Sequence, residues 1–302
     1  MNFQLFGYGI DDSGEFMAKR IAYLSGSWYP KNKNECERQI KEFGENPVRL
    51  SDNRLKYRIG IAPHAGWAFS GRLANDVIFN ISSHTNPDIV ILAGGHLSAN
   101  DRVYSMKSCE VETPLGSLSC VEDYHKELFA GIDCYYENGD SYEPDNTTEL
   151  LLPFIKYYFD NVKIIICRIP PDNNAFLFSA NLIELITEKK LNCALICSTD
   201  LTHYGFRFGF MPEGRGARAL RWVKTANDKK IIDYACSLDS RKTLATSLKD
   251  HNSCCGGAIT AGVETAKGIG CSYGRQVGYY TSADILNEND PSDFVGYCGI
   301  IF

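Results

Sequence analysis

The chain has 302 residues, with 31 basic and 37 acidic side chains (formal charge −6), 44% hydrophobic and 23% charged residues. That composition supports a sizeable core and excludes a disordered or collagen-like chain. No run approaches the roughly 18 apolar residues of a membrane-spanning helix, and no lysine- or arginine-rich block marks a nucleic-acid binder, so neither membrane nor nucleic acid is an expected partner. The opening residues 1–16 lack a basic segment followed by an apolar one, and Asp11 and Asp12 interrupt them, so a cytoplasmic location is expected. The twelve cysteines include no C-x-x-C pair. Most of them read as small buried thiols, and any metal site has to be assembled from dispersed residues.

In chain order, the spacing of Cys36, Ile40 and Phe43 predicts a helix over 34–43. Four runs, YRIGIA from Tyr57, DIVILAGG from Asp88, VKIIICRI from Val162 and CALICSTD from Cys193, read as central strands. Helices are predicted over 72–82, 147–159 and 174–188, and a hairpin around TPLG between Met106 and Cys120. Residues 216–238, 241–248 and 257–267 read as helical. Two further strands, from Cys271 and Val295, are joined by the polar loop 285–293. Strands alternating with helices predict an α/β fold, one domain over 1–302, with a central mostly parallel sheet flanked by helices.

Three of the four central strands run directly into a histidine-bearing loop. Pro63-His64-Ala65-Gly66 follows the first, His96 the second, and Asp200-Leu201-Thr202-His203 the last. Ligands bind beyond the carboxyl ends of strands in open α/β sheets, so His64, His96, Asp200 and His203 are expected to share one rim. His84, His125 and His251 read as surface residues. A second cluster, Asp250 to Gly257, places Cys254 and Cys255 at the start of a helix, where a thiol ionises more readily. Either cysteine is a chemical candidate, and a pair of packed thiols is the alternative. The glycines at 7, 9 and 14 and at 268, 270 and 274 miss the dinucleotide-binding spacing, and there is no P-loop, G-x-S-x-G elbow or H-E-x-x-H helix.

Gly26-Ser27-Trp28-Tyr29-Pro30, IAPHAGWAFSG (61–71), ILAGGH ending at His96, STDLTHYG (198–205) and NSCCGG from Asn252 together resemble the MEMO family. The resemblance implies a fold similar to class III extradiol dioxygenases and a metal pocket of two histidines and one cysteine. Carried over, the ligands fall on His64, His96 and Cys255, the cysteine directly before glycine, with Asp200 and His203 beside them. Iron is the metal expected, with copper and zinc as alternatives. Trp28, Tyr29, Trp67 and Glu149 are expected in the substrate pocket, Trp67 either over the pocket or packed behind it. The family pattern has a histidine where this chain has Asn146, and an asparagine cannot move a proton.

The expectation is a metal-dependent redox enzyme of unspecified substrate, with His203 as proton shuttle oriented or charge-tuned by Asp200. The competing expectation is a non-enzymatic protein that binds a small molecule or peptide in the same pocket. A hydrolase using metal-activated water is a third reading. The resemblance also implies AMMECR-type and radical-SAM proteins as partners.

Overall fold

A computed structural model describes residues 18–48, 50, 57–159 and 161–302, together with the backbone of two short antiparallel strands at 9–10 and 16–17. The reading of the first fifteen residues therefore falls largely outside the described residues. Strands Ile59–Ala62, Cys193–Ser198, Ile89–Gly94 and Lys163–Arg168 lie side by side in that order, all parallel. Phe294–Ile301 runs antiparallel along the outer side of Ile59–Ala62 and pairs in turn with Arg275–Thr281 and His203–Tyr204. Beyond Lys163–Arg168 lies the expected hairpin, Cys109–Val111 against Leu118–Cys120, and then Lys19–Arg20. The sheet is thus mixed and mostly parallel at its centre, flanked by helices, as the strand–helix alternation predicts.

The central strands form because their residues are apolar on both faces, as burial between two helical layers demands. Successive side chains point to opposite faces of a strand. Ile89, Ile91 and Ala93 accordingly enter one core with Leu195, Cys197 and Ile165, while Val90 and Leu92 enter the other with Ile164 and Ile196. Helices Asn173–Thr187, Asp228–Cys236 and Gly256–Gly268 cover the first face. Lys33–Phe43, Trp67–His84 and Leu152–Tyr158 cover the second. Among the described residues, no helix is long and apolar enough to cross a membrane.

Several local expectations are corrected. The helix predicted over 147–159 is two short helices, Asn146–Glu149 and Leu152–Tyr158, because Pro153 in the first turn of the second has no N–H to continue the first. The long helix over 216–238 is interrupted by a π turn at Val223–Asn227. The polar loop after Thr281 opens with a helical turn, Ser282–Leu286, held by a capping box between Thr281 and Asp284. His125 is not a surface residue: it is buried between the rings of Phe129 and Tyr136, with Nε2 3.3 Å from Ser105 Oγ. Val103–Met106 pairs with Lys163–Arg168 and with an unforeseen strand, Cys134–Glu137, rather than extending the hairpin.

Candidate metal centre

The strand order decides the site. Ile59–Ala62, Cys193–Ser198 and Ile89–Gly94 are neighbours, so the loops leaving their carboxyl ends, which carry His64, Asp200 with His203, and His96, converge on one rim. The fourth strand ends in Ile169-Pro170-Pro171, a turn that receives the start of helix Gly256–Gly268. A Cβ on Gly257 would overlap the carbonyl oxygens of Ile169 and Pro170, so only glycine lets the helix dock there. That close approach carries Cys254 and Cys255 to the rim. Gly95, at φ +108°, turns the chain after Ile89–Gly94 and presents His96, and its N–H donates to Thr147 Oγ1 at 2.9 Å.

Each donor has its own supports. His64 is buried, and Ser198 Oγ lies 2.7 Å from its Nδ1, which leaves Nε2 facing the rim. His64 Nε2 is 3.2 Å from His96 Nε2 and 3.3 Å from Cys254 Sγ. Cys254 Sγ is 3.7 Å from Cys255 Sγ and accepts the Asp200 N–H at 3.2 Å. The four ligand atoms of His64, His96, Cys254 and Cys255 all lie within 4.8 Å of one another. His96 and Cys254 are open to solvent to different degrees, whereas His64 and Cys255 are buried.

The electrostatics follow from this packing. Burial alone lowers the His64 pKa, but the Asp200 carboxylate and the Cys254 sulfur more than reverse it and push it up to about 9. Burial raises Cys254, yet hydrogen bonding to Cys255 and the adjacent imidazoles of His64 and His96 bring its thiol well below the ordinary range. Cys255, buried beside that sulfur, moves the opposite way. His96 is raised because its contact with Cys254 outweighs burial. Burial pushes Asp200 upward, with the charge on His64 as the largest opposing influence.

A scaffold of buried polar contacts holds the rim. Asp200 Oδ1 accepts the His64 N–H at 2.8 Å, and the Asp200 carbonyl accepts the Cys254 N–H at 3.1 Å. Thr199 Oγ1 accepts the Cys255 N–H at 3.1 Å. The π turn ends at Asn227, whose side chain donates to Thr202 Oγ1 and to the Asp250 carbonyl, both at 3.0 Å. Asn252 donates back to the Asn227 carbonyl at 2.9 Å. Buried Asp228 accepts from the Thr202 N–H, the Thr202 hydroxyl and, at 2.8 Å, the Tyr279 hydroxyl. The π turn thus ties the Asp200–His203 loop to the cysteine loop, a use to which such irregularities are often put. Sequence reading missed Asn227 and Asp228, which carry no motif; their signal is structural, two polar residues buried next to the rim.

Two cavities open on this cluster. One, of about 410 Å³, is lined by Trp28, Ala65, Phe69, His64, His96, Asn146, Asp200, Arg207 and Val295. The other, of about 520 Å³, is lined by Leu97, Pro171, Phe210, Leu248, His251, Ser253 and Cys254. His203 and Phe208 border both, with their rings edge to face at 5.1 Å. His203 Nδ1 lies 3.1 Å from the Leu201 carbonyl, which can only accept, so Nδ1 carries a proton and the ring is held by that contact. Asp200 Oδ1 accepts its hydrogen bond from the His64 backbone N–H rather than from the His203 ring. The His203 ring is thus oriented through the Leu201 carbonyl, and of the two expected roles of Asp200, orienting or charge-tuning, its charge interaction with His203 fits the second.

Of the four residues expected in the substrate pocket, Trp28 lines a cavity and is 42% exposed. Tyr29 and Glu149 lie behind the wall instead, and Trp67 takes the packed one of its two expected positions. Trp67 is buried, stacked on Phe154 with centroids 4.3 Å apart, and donates Nε1–H to the Leu150 carbonyl at 3.0 Å. Glu149 is buried and accepts from the Leu24 N–H at 2.6 Å and the Tyr29 hydroxyl at 3.0 Å, which accounts for Tyr29 as well. Apolar packing and mutual hydrogen bonds hold this trio, so none of it reaches the cavity.

The sequence profile of the Memo-like protein family matches residues 20–301. A MEMO1 family protein of Nitrosopumilus maritimus is 28% identical over 293 residues, covering 94% of this chain and 99% of its own length. One from Methanopyrus kandleri is 25% identical over 295 residues with the same coverage, and one from Pyrococcus furiosus 25% identical over 290 residues, covering 93% and 98%. Among solved structures, the uncharacterized protein JW3007 from Escherichia coli K12 aligns over 81% of this chain and 98% of its own at 11% identity and a TM-score of 0.45, too loose a similarity to bear on function. The match along nearly the whole chain settles the affiliation: the chain belongs to the Memo-like family.

Proposed function

We propose that the chain is a metal-dependent oxidoreductase that holds one ion on His64, His96 and Cys255 and admits a small molecule through the cavity beside Trp28. The carrying observation is that two imidazole nitrogens and cysteine sulfurs lie within 4.8 Å of one another where two cavities meet. Imidazole and thiolate suit iron, copper or zinc, and the extradiol-dioxygenase-like fold that the MEMO resemblance implies favours iron, with copper second. A bound redox ion would supply one-electron chemistry that no side chain of this cluster can supply alone.

The protein's own contribution is positioning and proton transfer. His64 is fixed by Ser198 and by its backbone bond to Asp200, so its Nε2 stays aimed at the rim. His203, which borders both cavities and is held at Nδ1 by the Leu201 carbonyl, takes the proton of a bound hydroxyl or returns it through its other ring nitrogen. Asp200 lends negative charge to this corner. The apolar walls Trp28, Ala65, Phe69 and Val295 exclude water from a small ligand.

Oxygen uptake by metal-loaded protein with reducing phenols tests the proposal. Uptake in wild type, lost in His203→Ala with metal retained, supports it. Saturable binding without turnover, equal in both proteins, replaces it with the reading as a binding protein.

A further inference from the structure

The proposed ligand set contains one thiolate, yet the sulfur closest to the imidazoles belongs to the other cysteine. Cys254 Sγ sits 3.3 Å from His64 Nε2 and 3.7 Å from Cys255 Sγ, and the two Nε2 atoms are 3.2 Å apart. Bond lengths of about 2.3 Å to sulfur and 2.0–2.1 Å to nitrogen give a tetrahedral ion ligand separations of about 3.3 Å between nitrogens, 3.6 Å between nitrogen and sulfur, and 3.8 Å between sulfurs. Three of the six separations among the four donors thus fall on tetrahedral edges within about 0.3 Å, all three running through His64 or Cys254, and the other three lie within 4.8 Å.

We infer that Cys254 is a second thiolate ligand, so that the centre is a two-imidazole, two-thiolate site, a donor set that moves the choice of redox ion from iron to thiophilic copper(I). This rests on the reading of the cluster as a metal centre and changes its donor count. The two sulfurs are not equivalent. Cys255 is buried, with its N–H on Thr199, whereas Cys254 lines the larger cavity and can be reached from it. Cys254 is therefore the ligand that an incoming molecule can displace, and Cys255 the one that stays. The Asp200 N–H bond to Cys254 Sγ stabilises the sulfur whether or not it is ligated.

Anaerobic titration of the full-length apoprotein with cobalt(II), followed by its near-ultraviolet thiolate charge-transfer absorption, tests this, with X-ray absorption of the zinc(II)-loaded protein counting sulfur neighbours. Cys254→Ser and Cys254→Ala should each lose about half the charge-transfer intensity and show one sulfur in place of two, as should Cys255→Ser. Circular dichroism identifies a variant that fails to fold, in which case the sulfur count of the wild-type protein decides alone. One sulfur in wild type, unchanged in the Cys254 variants, overturns the inference and leaves the metal centre standing. Failure of wild type to bind either ion at one equivalent overturns the metal centre itself.

Discussion

Two polar clusters flank the carboxyl ends of the central strands, and they were built from neighbouring pieces of the same motifs. At the rim, His64, His96, Cys254 and Cys255 face two cavities. Behind it, Glu149 Oε1 accepts from the Leu24 N–H and the Tyr29 hydroxyl, Trp67 donates to the Leu150 carbonyl and lies 5.5 Å from the Tyr29 ring, and Arg20 donates to Thr148 Oγ1 at 3.3 Å. His64 and Trp67 are three residues apart, yet one lies in the loop that follows a strand and faces the rim, while the other opens a helix and turns inward to Phe154. Membership of a motif marks a residue as needed. Only the direction of its side chain separates chemistry from support.

If that distinction holds, the inner cluster should govern stability and leave metal binding alone. The largest effect is expected for Trp67→Ala, which removes a stacked, buried indole and should cost about 3–5 kcal/mol in urea unfolding, with metal stoichiometry unchanged in the folded fraction. Metal loss in parallel with an unshifted midpoint would move Trp67 into the site.

Asp228 sharpens the comparison from the scaffold side. Burial raises its carboxyl pKa to about 6 from an ordinary 3.8, so the folded protein holds the proton more tightly than the unfolded chain. Its stabilising contribution is full below about pH 4 and is lost as pH rises through about 6, a decline on the order of 2–3 kcal/mol. Unfolding midpoints of Asp228→Asn should lack that decline. The same slope in wild type and variant would show that Asp228 titrates normally.

Smaller still, Glu149→Ala leaves the Leu24 N–H and the Tyr29 hydroxyl without their acceptor and should cost about 1–3 kcal/mol, again without effect on metal content. Trp28→Ala should change stability by no more than about 0.5 kcal/mol. As the half-exposed wall of the cavity, however, it should weaken binding of an aromatic probe, measured by calorimetry. Unchanged probe binding would remove Trp28 from the site.

The sequence shows the central sheet plainly because strands buried on both faces are unbroken apolar runs, as in DIVILAGG and CALICSTD. The convergence of His64, His96 and His203 is readable from strand ends alone, since topology and not side-chain detail brings the loops together. The short strand Cys134–Glu137 is not readable: its exposed Tyr135 and half-buried neighbours give no periodic signal. His125 was misread because the charged residues beside it resemble a solvated helix, while its own partners, Ser105 and Tyr136, come from elsewhere in the chain. The proximity of Cys254 to His64 depends on the Gly257 docking contact, which spacing does not reveal.

The central claim is that the histidine–cysteine cluster holds a metal ion. Elemental analysis of anaerobically purified wild type, His64→Ala and Trp67→Ala tests it most directly. The expected result is near-stoichiometric iron, copper or zinc in wild type and in folded Trp67→Ala, and loss in His64→Ala. No metal in wild type even after reconstitution, or equal metal in wild type and His64→Ala, would contradict it.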